Sequence, residues 1–214
     1  LLLSYLSERK QRVKISGVVS NWLTLTKGVP QGSILGPALF NIFINDIYTV
    51  MTNTSLHNYA DDNTISAIGD SKQEVVTYLN QGASNATKWF SENGMEANPS
   101  KFQGMLLKDH SNDTVFNIDG TEMKTVDYVK FLGVNIDNNL DFHYHTSTIC
   151  KKAGAQLRVL QRLSHYLDLP SRLSIFRCFI LAHFNYCSLV WNFCGETSSK
   201  KIEQIQYRDR KSVV

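Results

Sequence analysis

Asp61 and Asp62 stand side by side, directly after Tyr59-Ala60. Two adjacent carboxylates offer hard oxygen ligands, and a rigid turn could place both on a small divalent cation. Taken alone, the pair reads first as a solvated turn, where acidic residues at tight bends commonly sit. The flanks, residues 55–58 and 63–68, are short and of mixed polarity, so the pair is predicted at the tip of a β-hairpin. A second candidate is Gly28-Val29-Pro30-Gln31-Gly32-Ser33. Its small residues let the backbone approach a flat ligand such as a base pair, and Gln31 brings both a donor and an acceptor. A third is the cationic set Lys151, Lys152, Arg158 and Arg162, on or near one face of a predicted helix.

Several elements must position these groups. Residues 10–27 alternate after a basic start, with Val13 and Ile15 on one face, Gly17 at a turn, and Leu23 and Leu25 on a returning strand. The Gly-rich turn feeds an apolar stretch, residues 34–50. It is predicted as a core helix because Leu35, Leu39, Phe40, Ile42, Phe43, Ile44 and Ile47 surround it. Ser33 is its candidate cap, and Pro37 is tolerated in its first turn. A second helix is expected over 72–93, lying on a sheet and stopped at Gly94, from the spacing of Val75, Val76, Leu79, Ala83, Ala86, Trp89 and Phe90. Asn98-Pro99-Ser100 reads as a turn, and residues 101–107 as a strand. Asp119-Gly120 reads as a hairpin tip between 115–118 and 122–126, and residues 130–136 as one more strand. From about His143 the period is helical throughout. Ile149, Ala153, Leu157, Leu160 and Leu163 form an apolar stripe, Asp168-Leu169-Pro170-Ser171 breaks it, and further helices start near Leu173 and Ser199. Hairpins and helices followed by helices alone make an α+β chain.

With 214 residues, 43% of them hydrophobic, the chain can bury a substantial core as one domain or a domain with an appendage. It has no apolar run of about 18 residues, so no membrane span is expected. Cys150, Cys178, Cys187 and Cys194 lack CxxC spacing and a histidine at zinc spacing, which predicts reduced, buried thiols and an intracellular chain. The net charge of +3 hides an asymmetry: residues 1–150 carry 11 Lys/Arg and 15 Asp/Glu, residues 151–214 carry 11 and 4. Metal binding in the first part and phosphate binding in the second would suit that split, and so would soluble surface helices.

The motifs taken in order are more specific than any one alone. Residues 28–33 lead into Leu39-Phe40-Asn41 and Asn45-Asp46-Ile47, then Tyr59-Ala60-Asp61-Asp62, then Trp89, Asn98-Pro99-Ser100-Lys101 and Lys130-Phe131-Leu132-Gly133-Val134. This series closely resembles the reverse transcriptases of non-LTR (LINE-type) retrotransposons, of the jockey and chicken-repeat kind, over about residues 1–207. The resemblance implies a right-hand polymerase palm, an antiparallel sheet with packed helices, over residues 1–140. An all-helical thumb-like region would follow over 141–208. The implied activity is an RNA-directed DNA polymerase that extends a DNA primer on an RNA template from deoxynucleoside triphosphates. Its implied cofactor is Mg²⁺, with Mn²⁺ as a substitute.

Residue roles follow from the same resemblance. Asp61 and Asp62 become the catalytic metal-site acids, with Tyr59 beside the primer end. Gly28, Pro30, Gln31, Gly32 and Ser33 would line the template and incoming nucleotide. Lys101 matches the proton donor to the leaving pyrophosphate, and an ordinary exposed lysine after a turn is the equal alternative. Phe131, Leu132 and Gly133 fall on the segment that grips the primer while also serving as core strand. Lys151, Lys152, Arg158 and Arg162 would contact phosphates without reading sequence.

In this family a third metal-binding aspartate lies on an earlier strand, upstream of what residues 1–6 resemble. Asp46 does not replace it, since it falls on the helix after the Gly-rich loop. Incomplete metal sites and an unpaired sheet flank are therefore expected. The start without Met and the last six residues, 209–214, expected to be a non-native tail, lead to the expectation of a fragment inactive by itself. A non-catalytic nucleic-acid-binding remnant of a decayed element is the alternative. A cellular relative, such as a telomerase or an intron maturase, ranks below both.

Overall fold

A computed structural model of the chain describes residues 1–109 and 113–213. Two compact units divide it, Leu1–Ala97 and Asn98–Val214.

The first unit opens with a short helix, α1 (Leu2–Leu6), and a long hairpin. The hairpin has two ladders, β1 (Lys10–Gln11) with β4 (Leu23–Thr24) and β2 (Lys14–Ile15) with β3 (Val18–Val19). Between them the Val13 N–H donates to Ser20 Oγ at 3.0 Å. Ser16 and Gly17 form the tip at φ 49° and 87°. All four strands are exposed, so the alternation of Val13 and Ile15 covers no core.

Helix α2 (Gly36–Ile44) tightens into a 3₁₀ segment, Asn45–Val50. Ser33 caps it as expected: its Oγ accepts from the Gly36 N–H at 3.1 Å and donates to the Pro30 carbonyl at 2.7 Å. The expectation of a helix buried all round fails, since Ile44 and Ile47 are buried whereas Ile42 is 73% exposed. Among the described residues its buried side packs on the hairpin β5 (Ser55–Tyr59) and β6 (Asp62–Ser66) and on helix α3 (Lys72–Glu92). The resulting core is Ile44, Ile47, Leu56, Ala86 and Trp89. Ser71 caps α3 by accepting from the Glu74 N–H at 3.2 Å, and the Asn85 amide reaches the Val50 carbonyl at 2.9 Å.

The second unit begins with a 3₁₀ turn, Pro99–Lys101. No strand follows over 101–107, contrary to expectation; Gly104 alone bridges Thr125. A Cβ at Gly104 would lie 2.5 Å from the Phe116 ring, so the backbone lies flat on that ring rather than in a ladder. The hairpin β7 (Val115–Ile118) and β8 (Thr121–Lys124) turns at Asp119-Gly120, φ 50° and 83°, as predicted. Residues 130–136 are not one strand. They fold back as β9 (Tyr128–Phe131) and β10 (Val134–Asp137), around Leu132-Gly133 at φ 44° and 88°.

Helix α4 (His143–Leu163) buries Ile149, Ala153, Leu157 and Leu160 as predicted, while Leu163 is 46% exposed. Then come α5 (Leu169–Ile175), a π-helical turn (Phe176–Leu181), α6 (Ala182–Asn185), α7 (Ser188–Trp191) and α8 (Glu196–Val213). Val134, Phe142, Phe176, Ile180, Phe184 and Trp191 join the α4 stripe in the second core. The last helix is longer than the segment expected from Ser199. Of the tail expected to be non-native, residues 209–213 continue α8 and Val214 lies outside the described residues.

The fold is thus α+β, but the described strands form five separate two-stranded ladders instead of one antiparallel sheet. Cys194 is buried and Cys150 half-buried, where burial pushes the thiol pKa up; Cys178 and Cys187 are exposed, against expectation. Among the described residues no helix is long and apolar enough to cross a membrane.

Candidate active site

The acid pair sits where expected, on a hairpin tip. Tyr59 pairs with Asp62, which leaves Ala60 and Asp61 as a two-residue turn. Ala60 takes φ 53°, the left-handed conformation such a turn requires. Opposed residues of an antiparallel pair share a face. Leu56 with Ile65, and Asn58 with Asn63, therefore face the same way, and Leu56 anchors them in the core. Tyr59 with Asp62, and His57 with Thr64, point to the other side. The Asn58 amide bonds the Asn63 side chain, and the Asn63 amide bonds the Asp61 carbonyl at 3.1 Å. These two asparagines brace the turn from below. Neither acid has an ion-pair partner among the described residues, and Tyr59 is 67% exposed.

The donors are hard carboxylate oxygens at an open tip, which fits a divalent cation in kind. They fall short in number: among the described residues no group of three His, Cys, Asp or Glu could hold a metal ion.

The 28–33 loop turns at Gly28 and Gly32, φ 79° and 76°. Space is open around both glycines, so a ligand can approach the backbone there. Gln31 is exposed, Pro30 half-buried, and Ser33 is occupied by the cap. Arg9 Nη2 holds the Gly28 carbonyl from the foot of the long hairpin. Loop and acid pair both belong to the first unit.

The other candidates lie in the second unit. Lys101 ends the 3₁₀ turn that Asn98 caps by accepting from Ser100 N at 3.1 Å, and it is exposed. Phe131 and Leu132 are half-buried, and Gly133 is exposed at the tip of the β9–β10 turn. Lys151, Lys152, Arg158 and Arg162 are all exposed on α4. Spacings of seven and four put Lys151, Arg158 and Arg162 on one line about 16 Å long, opposite the buried stripe, with Lys152 about 100° round the helix.

Two residues that sequence reasoning missed organise this unit. The Tyr186 hydroxyl donates to the Leu132 carbonyl at 2.5 Å, and its ring edge lies 3.2 Å from where a Gly133 Cβ would be. Trp191 Nε1 in turn donates to the Tyr186 carbonyl at 2.9 Å. His145, 3% exposed, accepts from the Asn135 N–H at 3.3 Å and packs on Trp191. Burial, then the charge of Lys152, holds its imidazole pKa below the ordinary value. Neither residue carries a motif in sequence: His145 is a lone histidine in α4, and Tyr186 follows the end of α6.

Comparison with known proteins identifies the family. A family model described as reverse transcriptase (RNA-dependent DNA polymerase) matches residues 2–136. The probable RNA-directed DNA polymerase from transposon X-element of Drosophila melanogaster is 24% identical over 220 residues, 96% of this chain and 24% of that protein. The RNA-directed DNA polymerase from mobile element jockey of Drosophila funebris is 25% identical over 221 residues, 96% of this chain and 24% of its own length. A Pol polyprotein from type-1 retrotransposable element R1 2 of Nasonia vitripennis is 27% identical over 176 residues, 77% of this chain and 43% of its own. No solved structure matches. The matched family implies a palm-type polymerase fold, with which the mixed helices and small sheets of this chain are consistent. The chain belongs to the reverse transcriptase (RNA-dependent DNA polymerase) family. It spans about a quarter of the length of the X-element and jockey proteins.

Proposed function

We propose that this chain is the palm and thumb part of the RNA-directed DNA polymerase of a non-LTR retrotransposon, extending a DNA 3′-end on an RNA template. The observation that carries it is Asp61-Asp62 on a two-residue turn whose strands are anchored in the core by Leu56. Asp61 and Asp62 would hold a divalent ion, Mg²⁺ or Mn²⁺, which when bound would supply activation of the primer 3′-hydroxyl and charge neutralisation at the triphosphate. The chain's own contribution is positioning. Asp61 and Asp62 present carboxylate oxygens from the tip, and Tyr59, on the Asp62 side, lies against the primer end. Gly28, Pro30, Gly32 and Ser33 give the template and incoming nucleotide close access to backbone, and the Gln31 amide supplies the polar contact. Lys101 Nζ holds the proton that the leaving pyrophosphate takes. Phe131, Leu132 and Gly133 support the primer strand, and the exposed Lys151, Arg158 and Arg162 line of α4, with Lys152 beside it, in the thumb-like region, takes its phosphates.

A second reading is a non-catalytic nucleic-acid-binding copy of a decayed element. It is favoured by the lack of a third metal-ligating group near the pair among the described residues. Primer extension on an RNA template with Mg²⁺ or Mn²⁺ tests both. The chain by itself is expected to give no extension. Extended to the length of its relatives it should polymerise, and Asp61→Asn should abolish that activity. Extension by the chain alone, lost on Asp61→Ala, contradicts the incomplete site. Failure of the extended protein decides for the second reading.

A further inference from the structure

The long hairpin over residues 9–25 covers no core: every residue from Lys10 to Thr24 is exposed. It carries Lys10, Arg12 and Lys14, and residues 1–45 hold five Lys/Arg against a single acid, Glu8. That basic start is hidden inside a first part that is acidic overall. None of the three cations has an ion-pair partner among the described residues. The β1–β4 register puts Lys10 opposite Thr24 and Gln11 opposite Leu23, and Arg12 and Trp22 are the next residues of each arm toward the tip. The Arg12 guanidinium lies 4.6 Å over the Trp22 ring, which is still 57% exposed. An arginine stacked this way keeps its N–H edge free for a phosphate, and the open indole surface can take a base. The hairpin is also tied to the 28–33 loop: Arg9 bonds the Gly28 carbonyl, and the Leu25 N–H donates to the Arg9 carbonyl at 2.8 Å.

We propose that this face of the hairpin is a separate binding site for single-stranded nucleic acid. Trp22 stacks an unpaired base, and Lys10, Arg12 and Lys14 neutralise the backbone beside it. The strand it holds is the unpaired template continuing from the 28–33 loop, an assignment that rests on the template role proposed for that loop. Charge complementarity selects a polyanion over an apolar protein surface, and an open aromatic face selects a single strand over a duplex.

Tryptophan emission reports on the site directly, because Trp89 and Trp191 are 5% and 3% exposed and Trp22 alone is open. Titrating the chain with a 20-nucleotide oligouridylate should quench the accessible emission. In parallel, anisotropy of the labelled oligonucleotide should show Trp22→Ala weakening binding about tenfold, and Trp22→Phe restoring most of it. Replacing Lys10, Arg12 and Lys14 with Ala should lower the slope of log K against log salt by about 2. Circular dichroism should be unchanged in each variant, since the hairpin supports no core. Unquenched emission and an unchanged Trp22→Ala affinity would overturn the proposal. If Ala substitutions at Lys151, Arg158 and Arg162 still weakened binding, the polymerase reading would survive that failure. Absence of any nucleic-acid binding would sink both. Equal quenching by a blunt duplex would overturn the single-strand assignment.

Discussion

Asp61 and Asp62 take nothing from the fold: they are exposed, unpaired among the described residues, and held only through the backbone of a two-residue turn. Like charges left together without partners add little to stability, so their oxygens remain available to a ligand. His145 shows the opposite case. It is 3% exposed, and its Nε2 has no partner while Nδ1 accepts from Asn135. Burial opposes protonation, and Lys152 adds to it, so the folded pKa lies below the unfolded value of about 6.5. Between those two values the unfolded chain binds more protons. Stability is therefore complete above about pH 6.5 and is lost as pH falls through that window. Urea midpoints measured from pH 7.5 downward should fall there, and His145→Phe should flatten that part of the curve. Little of this was legible in sequence. The acid pair is a local string with its turn beside it, whereas the burial of His145 depends on Trp191, on a helix far along the chain.

At the scale of elements, the acid-pair hairpin rests on α3, and Gly82 sets how closely. A Cβ at Gly82 would lie 2.8 Å from Thr54 Cγ2 and 2.9 Å from its Oγ1. Gly82→Ala gains about 1 kcal/mol of helix propensity, but Thr54 is short and β-branched and cannot swing away. The clash should win, giving a net loss of about 1–2 kcal/mol in chemical denaturation, with Thr54→Ser reversing part of it. Asp119-Gly120 was legible as a turn because both residue types tolerate positive φ. Leu132-Gly133 was not, because leucine resists φ 44° and nothing nearby announces the turn. The bond from Tyr186 that holds it comes from 54 residues away. Helix 34–50 shows the converse fault. Its apolar residues surround it, and only its packing partners decide which of them are covered.

Across the whole molecule, charge is laid out in three stretches. Residues 1–45 are basic, residues 46–150 carry 14 Asp/Glu against six Lys/Arg, and residues 151–214 are basic again. The acid-pair hairpin belongs to the acidic stretch, and the exposed cations of α4 to the last one. Replacing Lys151, Lys152, Arg158 and Arg162 with Ala should reduce the salt slope of nucleic-acid binding by up to about 3, equally for every sequence tested. The ordered motifs made the family legible, because each encodes a local turn or cap. The separation of the strands into independent ladders was not legible, since strand partnership is settled by contacts no single segment contains.

The most direct test is where a divalent cation lands. Mn²⁺ added to the isotope-labelled chain in complex with an RNA–DNA primer-template should broaden the backbone signals of Ala60, Asp61, Asp62 and Asn63 first. Asp61→Asn with Asp62→Asn should erase that effect while leaving the rest of the spectrum in place. Broadening that begins elsewhere, or that survives the double substitution, would contradict the assignment of this hairpin as the metal-holding tip of a polymerase.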